Sequence, residues 1–93
     1  MTLLSYEIFQ TIIEQGSFAK AAQLLHLTPS AGSHSISSME EEVGFPLFIR
    51  NKNGVQLTSA GEQICPYLQK IVAANNSLLQ TVSQMKGLQT GTV

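Results

Sequence analysis

A mainly α-helical fold is predicted for this chain: three short helices, a two-stranded hairpin and one long helix. Three features of the sequence predict it. Apolar residues recur at spacings of three and four through most of the 93 residues. Glycines stand where helical stretches should stop, and serine or threonine stands where the next should start. Over residues 47–57 the helical period is lost, and two short apolar runs flank Asn53-Gly54.

In the first helix, Leu4, Ile8, Phe9, Ile12 and Ile13 form the apolar face, with Glu7, Gln10 and Glu14 on the other side; Gly16 supplies the stop. Ser17 is a natural N-cap for a second helix over Phe18–Leu25, whose inner face is Phe18, Ala21, Ala22 and Leu25. The two alanines let another helix approach closely. His26 and Leu27 fit a tight turn. Thr28-Pro29 then reads as an N-cap followed by proline at the first helical position.

The third helix runs from Pro29 to about Val43, with Gly32, Ile36, Met39 and Val43 as one buried stripe. Ser30, Ser33, His34 and Ser37 fall on the opposite side, so the serines that crowd residues 30–38 are the outer face of a packed helix. Gly44 ends it. Leu47–Ile49 and Val55–Leu57 form the hairpin, turned at Asn53-Gly54, from which Arg50 and Lys52 should project.

Thr58 or Ser59 caps the long helix, with Ser59 and Glu62 spaced as a capping box. Ile64, Leu68, Ile71, Asn75, Leu78, Val82 and Met85 alternate spacings of four and three across it, a narrow stripe suited to a helix–helix seam. Asn75 is the polar position in that seam. Pro66 should kink the helix or leave a carbonyl unpaired. The division that follows is a head over residues 1–58 (paired helices about 17–43, hairpin about 47–57), a linker or dimerisation helix over 59–86, and the start of a linker over 87–93.

The totals constrain function less than the pattern does. Five Lys/Arg against six Asp/Glu give a formal charge of −1, which is no electrostatic footprint for nucleic acid. The single cysteine, Cys65, excludes an intrachain disulfide and reads as a small apolar filler. There is no signal-peptide pattern and no apolar stretch approaching 18 residues, so a cytoplasmic protein without a membrane span is expected. Ser33-His34 has no aspartate to complete a triad, because the chain contains none. Glu40, Glu41 and Glu42 lie at a helix C-terminus without metal-ligand spacing. No enzyme, cofactor or metal site is expected.

Two short helices joined by a tight turn, followed by a hairpin, describe a winged helix-turn-helix. Within that frame Gly16-Ser17-Phe18, Ala21-Ala22, Ser33, Ile36, Glu40, Gly44, Leu47-Phe48, Arg50 and Leu57-Thr58 with Ala60-Gly61 occur in order. On these residues the chain resembles the N-terminal DNA-binding domain of LysR-type transcriptional regulators, over about residues 3–86. The resemblance implies a bacterial regulator of transcription whose third helix enters the major groove of double-stranded DNA. It also implies a wing on the backbone or minor groove, and a linker helix that pairs with a second copy. Higher oligomers in a full-length regulator, and an effector-binding domain after the linker, belong to the same implication.

The DNA-facing set is then Thr28, Pro29, Ser30, Ser33, His34 and Ser37 on the third helix, with Arg50, Lys52 and Asn53 on the wing. Asn53 is in the first place a turn residue. Ile64, Leu68, Ile71, Asn75, Leu78, Val82 and Met85 form the homodimer seam. Pro29 stands where the family often has Gln, Gly32 where it has Val, and Ser37 and Ser38 where it has Arg or Lys. These departures, with the charge of −1, support a second reading: a winged-helix protein–protein module of weak DNA affinity that acts through its long helix.

Overall fold

In a computed structural model, residues 1–91 are described, with side chains as far as residue 87. The order is α1 (Leu3–Gln15), α2 (Phe18–Leu24), α3 (Pro29–Val43), β1 (Phe48–Asn51), β2 (Gly54–Leu57) and α4 (Ser59–Gly91). A winged helix-turn-helix thus carries one long helix. The molecule is 56 Å long because α4 projects well past the head.

Thr2 caps α1 through a reciprocal bond pair: its hydroxyl accepts from Ser5 N at 3.2 Å, and Ser5 Oγ accepts from Thr2 N at 2.9 Å. That pairing explains the one buried serine in the core. The buried face of α1 is Ser5, Ile8, Phe9 and Ile12; Leu4 and Ile13, expected inside, are 45% and 37% exposed. They flank the i, i+3, i+4, i+7 row on either side.

Helix α2 stops one residue before the expected Leu25. His26 N donates to Gln23 O and Leu27 N to Ala22 O, with His26 in the left-handed region at φ 58°. This closure turns the chain sharply into α3, whose first turn is capped by Thr28 Oγ1 accepting from Ala31 N at 3.1 Å. Ala21 and Ala22 are buried, and the backbone of Gly32 lies against Ala22.

The core joins Ile8, Phe9, Ile12, Ala21, Ile36, Met39, Leu47 and Leu68, all at most 5% exposed. Removing each large side chain from water contributes about 1.5–3 kcal/mol. Val72 is also buried on α4, a position the seam pattern did not select.

The hairpin turn is displaced by one residue from its expected position. Asn51 pairs with Gly54, so the loop is Lys52-Asn53, and only Gly54 has positive φ, at 120°. Asn51 Oδ1 accepts from Asn53 N at 2.9 Å, an Asx-turn that fixes the loop one position earlier. At the start of α4 the Ser59–Glu62 capping box does not form. Thr58 caps instead, its hydroxyl accepting from Gly61 N at 3.0 Å and donating to Pro46 O at 2.6 Å.

Helix α4 is continuous through Pro66, which is exposed; the Glu62 carbonyl that loses its helical donor lies on that same exposed side. It also continues past the expected stop at Gly87 to Gly91, since a helical glycine costs only about 1 kcal/mol. The rest of the expected linker, residues 92 and 93, lies outside the described residues.

Two glycines should respond oppositely to alanine. A Cβ at Gly32 would meet Ala22 Cβ at 3.6 Å, an ordinary contact. Gly32→Ala should therefore raise stability by about 1 kcal/mol through helix propensity. A Cβ at Gly61 would overlap the Leu47 carbonyl oxygen and come within 2.9 Å of Leu57 Cδ2. Gly61→Ala should lower stability by about 2 kcal/mol, because no rotamer change relieves a clash with backbone. Urea midpoints of the two variants check both signs.

Candidate nucleic-acid interface

The exposed side of α3 follows from its buried side. With Gly32, Ile36 and Met39 turned inward, Ser30, His34, Ser37 and Glu41 recur at spacings of four, three and four along the outside. All four are exposed, as is Ala31 beside them. Ser33 is half-buried and lies at the flank of α3 that faces the wing. The expected serine face is therefore narrower than its sequence spacing suggested, and it ends in a carboxylate. Helix α3 carries no Lys or Arg.

At the N-terminus of α3, Thr28, Pro29 and Ser30 are exposed, and Thr28 Oγ1 lies 3.4 Å from Ser30 Oγ. The amides of this first turn point outward along the helix axis, where they favour negative charge.

The wing differs from expectation at Arg50. Its side chain does not project from the hairpin. Arg50 shares a strand face with Phe48, and its guanidinium carbon sits 3.5 Å from the centroid of the Phe18 ring. Nη2 donates to Ser33 Oγ at 3.1 Å. The ring under it is held in turn: Phe18 meets Phe48 edge-on at 5.4 Å, and Phe48 meets Phe9 at 4.8 Å. An aromatic row thus runs from the buried core to the guanidinium. Lys52 and Asn53 are exposed at the loop, where the amide of Asn53 belongs to the turn.

Glu40 sets the wing against α3. Its Oε2 accepts from Leu47 N at 2.6 Å and from Phe48 N at 3.3 Å. Of the three adjacent glutamates, Glu40 alone turns toward the wing, while Glu41 and Glu42 are exposed. No cluster of three His, Cys, Asp or Glu side chains able to hold a metal occurs among the described residues.

On α4 the expected seam divides in two. Leu68 is 5% exposed in this chain's own core, and Ile64 and Cys65 pack against that core. Burial pushes the Cys65 thiol pKa up, in keeping with an apolar filler. From Ile71 onward the large apolar residues other than Val72 are uncovered: Ile71, Leu78, Leu79, Val82 and Met85 are 37–59% exposed, and Asn75 is half-buried among them. Ile64 and Leu68 were expected in the seam because a three–four stripe looks the same whether its partner is the same chain or another.

A three-helix head with a small hydroxyl-lined third helix, a wing cation beside it and a projecting helix defines a winged helix-turn-helix module. The chain belongs to the lysR family of bacterial regulatory helix-turn-helix proteins, whose model matches residues 3–62. It is 38% identical to the uncharacterized HTH-type transcriptional regulator YvbU of Bacillus subtilis, across all of this chain and 32% of that protein. The HTH-type transcriptional regulator IlvY of Escherichia coli is 33% identical across 90% of this chain and 28% of IlvY. The chain thus spans about a third of the length of the curated relatives it matches.

Among solved structures, oxidized OxyR of Corynebacterium glutamicum is similar with a TM-score of 0.86 and 29% identity, over 92% of this chain and 26% of OxyR. The BenM DNA-binding domain in complex with catB site 1 DNA is similar with a TM-score of 0.84 and 27% identity, over 92% of this chain and 97% of that one.

Phe18 was expected only as an inner residue of α2, and its role under Arg50 had no local signal. The two are 32 positions apart in sequence. Glu40 gives the test of how the wing is held. Glu40→Ala leaves the buried Leu47 amide without its acceptor and should lower stability by about 1.5–3 kcal/mol. Hydrogen exchange should quicken at Leu47 and Phe48 more than in α1.

Proposed function

We propose that this chain is the DNA-binding part of a LysR-type transcriptional regulator, reading double-stranded DNA with α3 in the major groove. One observation carries the reading: up to Ser37 the outer row of α3 is made of small polar side chains around a single imidazole, His34. A helix so narrow can lie close to base edges in a groove about 12 Å wide. Serine hydroxyls and the His34 ring supply donors and acceptors there, and the first-turn amides near Ser30 meet phosphate. Arg50 and Lys52 supply the wing's positive charge. The BenM domain bound to catB site 1 DNA, similar over nearly the whole of both chains, supports this placement.

Regulation of transcription, action in the cytoplasm and the absence of enzymatic activity follow from the same reading. So does pairing of two copies through α4. The exposed row of Ile71, Leu78, Leu79, Val82 and Met85 has the spacing of a two-helix seam, and Asn75 stands at its polar position. The seam begins near Ile71, since Leu68 is occupied in its own core. Leu78→Glu places a charge in that seam. The unaltered chain should sediment as a dimer at micromolar concentration and the variant as a monomer; a monomer in both cases counts against the pairing.

The second reading, a protein–protein module working through α4, is favoured by the charge of −1 and by Glu41 on the outer row. Salt separates the two. Binding to DNA releases counterions and weakens steeply with salt, whereas an apolar helix seam barely responds. With few cations per protomer, the slope should be less steep than for a strongly basic DNA reader, yet well above the near-zero slope of an apolar seam. Arg50→Ala should weaken all sequences alike and lower the slope by about one unit. His34→Ala should change which sequences are preferred, by about 1 kcal/mol or more. Binding curves at several salt concentrations, on a duplex selected from a random pool and on its scrambled counterpart, measure both.

A further inference from the structure

The geometry points to Ser33 as a positioning residue for Arg50, holding its guanidinium at one place between wing and third helix so that it meets a single DNA phosphate there. The inference rests on the DNA-binding reading and deepens it. Five N–H donors belong to a guanidinium, and Ser33 Oγ takes one of them, at 3.1 Å from Nη2. The Phe18 face, 3.5 Å from the guanidinium carbon, attracts the cation through its ring electrons and uses none of the in-plane N–H bonds. The remaining donors are therefore available to a phosphate diester, whose oxygens suit a planar fork. Arg50 is exposed overall, so that edge is open.

Without these two contacts the side chain would sample many rotamers, and binding would have to order it. Ser33 itself is poorly placed to read a base. It stands off the outer row formed by Ser30, His34 and Ser37, and its oxygen is already an acceptor for Arg50. The wing is also tied to α2 and α1 through the contacts of Phe48 with Phe18 and Phe9, and to α3 through Glu40, which accepts from Leu47 N and Phe48 N. A phosphate caught by Arg50 is thereby fixed in distance from the groove-facing row of α3.

The test is a double-substitution cycle in the 93-residue chain. Affinity is measured for a duplex selected by the chain from a random pool and for its scrambled version, with thermal melting as a control for folding. Ser33→Ala should weaken both duplexes by the same factor, about threefold to tenfold. In the Arg50→Ala background the same change should have no further effect. Ser33→Thr, which keeps the hydroxyl, should restore affinity. A Ser33→Ala effect that persists undiminished without Arg50 overturns the inference, as does no effect at all or a change in preference between the two duplexes. If Arg50→Ala leaves affinity and salt slope untouched, the DNA-binding role assigned to the wing fails first, and the positioning role falls with it.

Discussion

Both backbone groups of Leu47 are spoken for, and the rest of the molecule is arranged around that fact. Its amide donates to the Glu40 carboxylate of α3, and its carbonyl accepts from Thr58 N at 3.0 Å. Its side chain is fully buried, and the first turn of α4 lies so close to its carbonyl that only glycine fits at position 61. One residue thus ties the third helix, the wing and the long helix together. A charged acceptor is well suited to that role, because a buried amide left without a partner costs more than a surface pair contributes. The Thr58 hydroxyl completes the clasp by bonding Pro46 O while capping α4.

That clasp has a consequence for the interface. Because β1 leaves Leu47 in a fixed direction, Phe48 enters the core beside Phe9 and Arg50, two residues on, returns over Phe18. The wing's cation is therefore part of the packed head, in contact with α2 and α3. A chain with no surplus of positive charge cannot rely on long-range attraction to hold DNA. On the proposed reading it depends instead on where its few charges stand, and the route from Leu47 to Arg50 fixes the place of one of them. Glu41, which ends the outer row of α3, is an exposed carboxylate and on the proposed reading would oppose close approach of phosphate at that end of the helix.

Much of this was legible in the sequence because the governing signals were local. Caps at Thr28 and Gly44, the Gly32, Ile36, Met39 and Val43 stripe, and the small residues Ala21 and Ala22 each act within a few positions. The misplaced details had nonlocal or competing causes. Thr58 prevailed over Ser59 as the cap because its hydroxyl also reaches Pro46, 12 residues away. The turn slipped from Asn53-Gly54 to Lys52-Asn53 because the Asn51 side chain offered the backbone a bond of its own. Leu4 and Ile13 proved exposed since helical spacing gives the centre of an apolar face but not its edges. In the candidate site, the exposed row of α3 was legible from periodicity, while the pairing of Arg50 with Ser33 and Phe18 depends on tertiary packing that no local pattern encodes.

The central claim is that this chain meets DNA through α3 and the wing, and not through the uncovered half of α4. Backbone amide chemical shifts recorded while duplex DNA is added test it most directly, since each amide reports its own surroundings. The largest shifts are expected at residues 28–37 and 50–53, with the amides of α4 beyond Asn75 little changed. Shifts confined to α4 beyond Asn75, or none under conditions where the head stays folded, would contradict it.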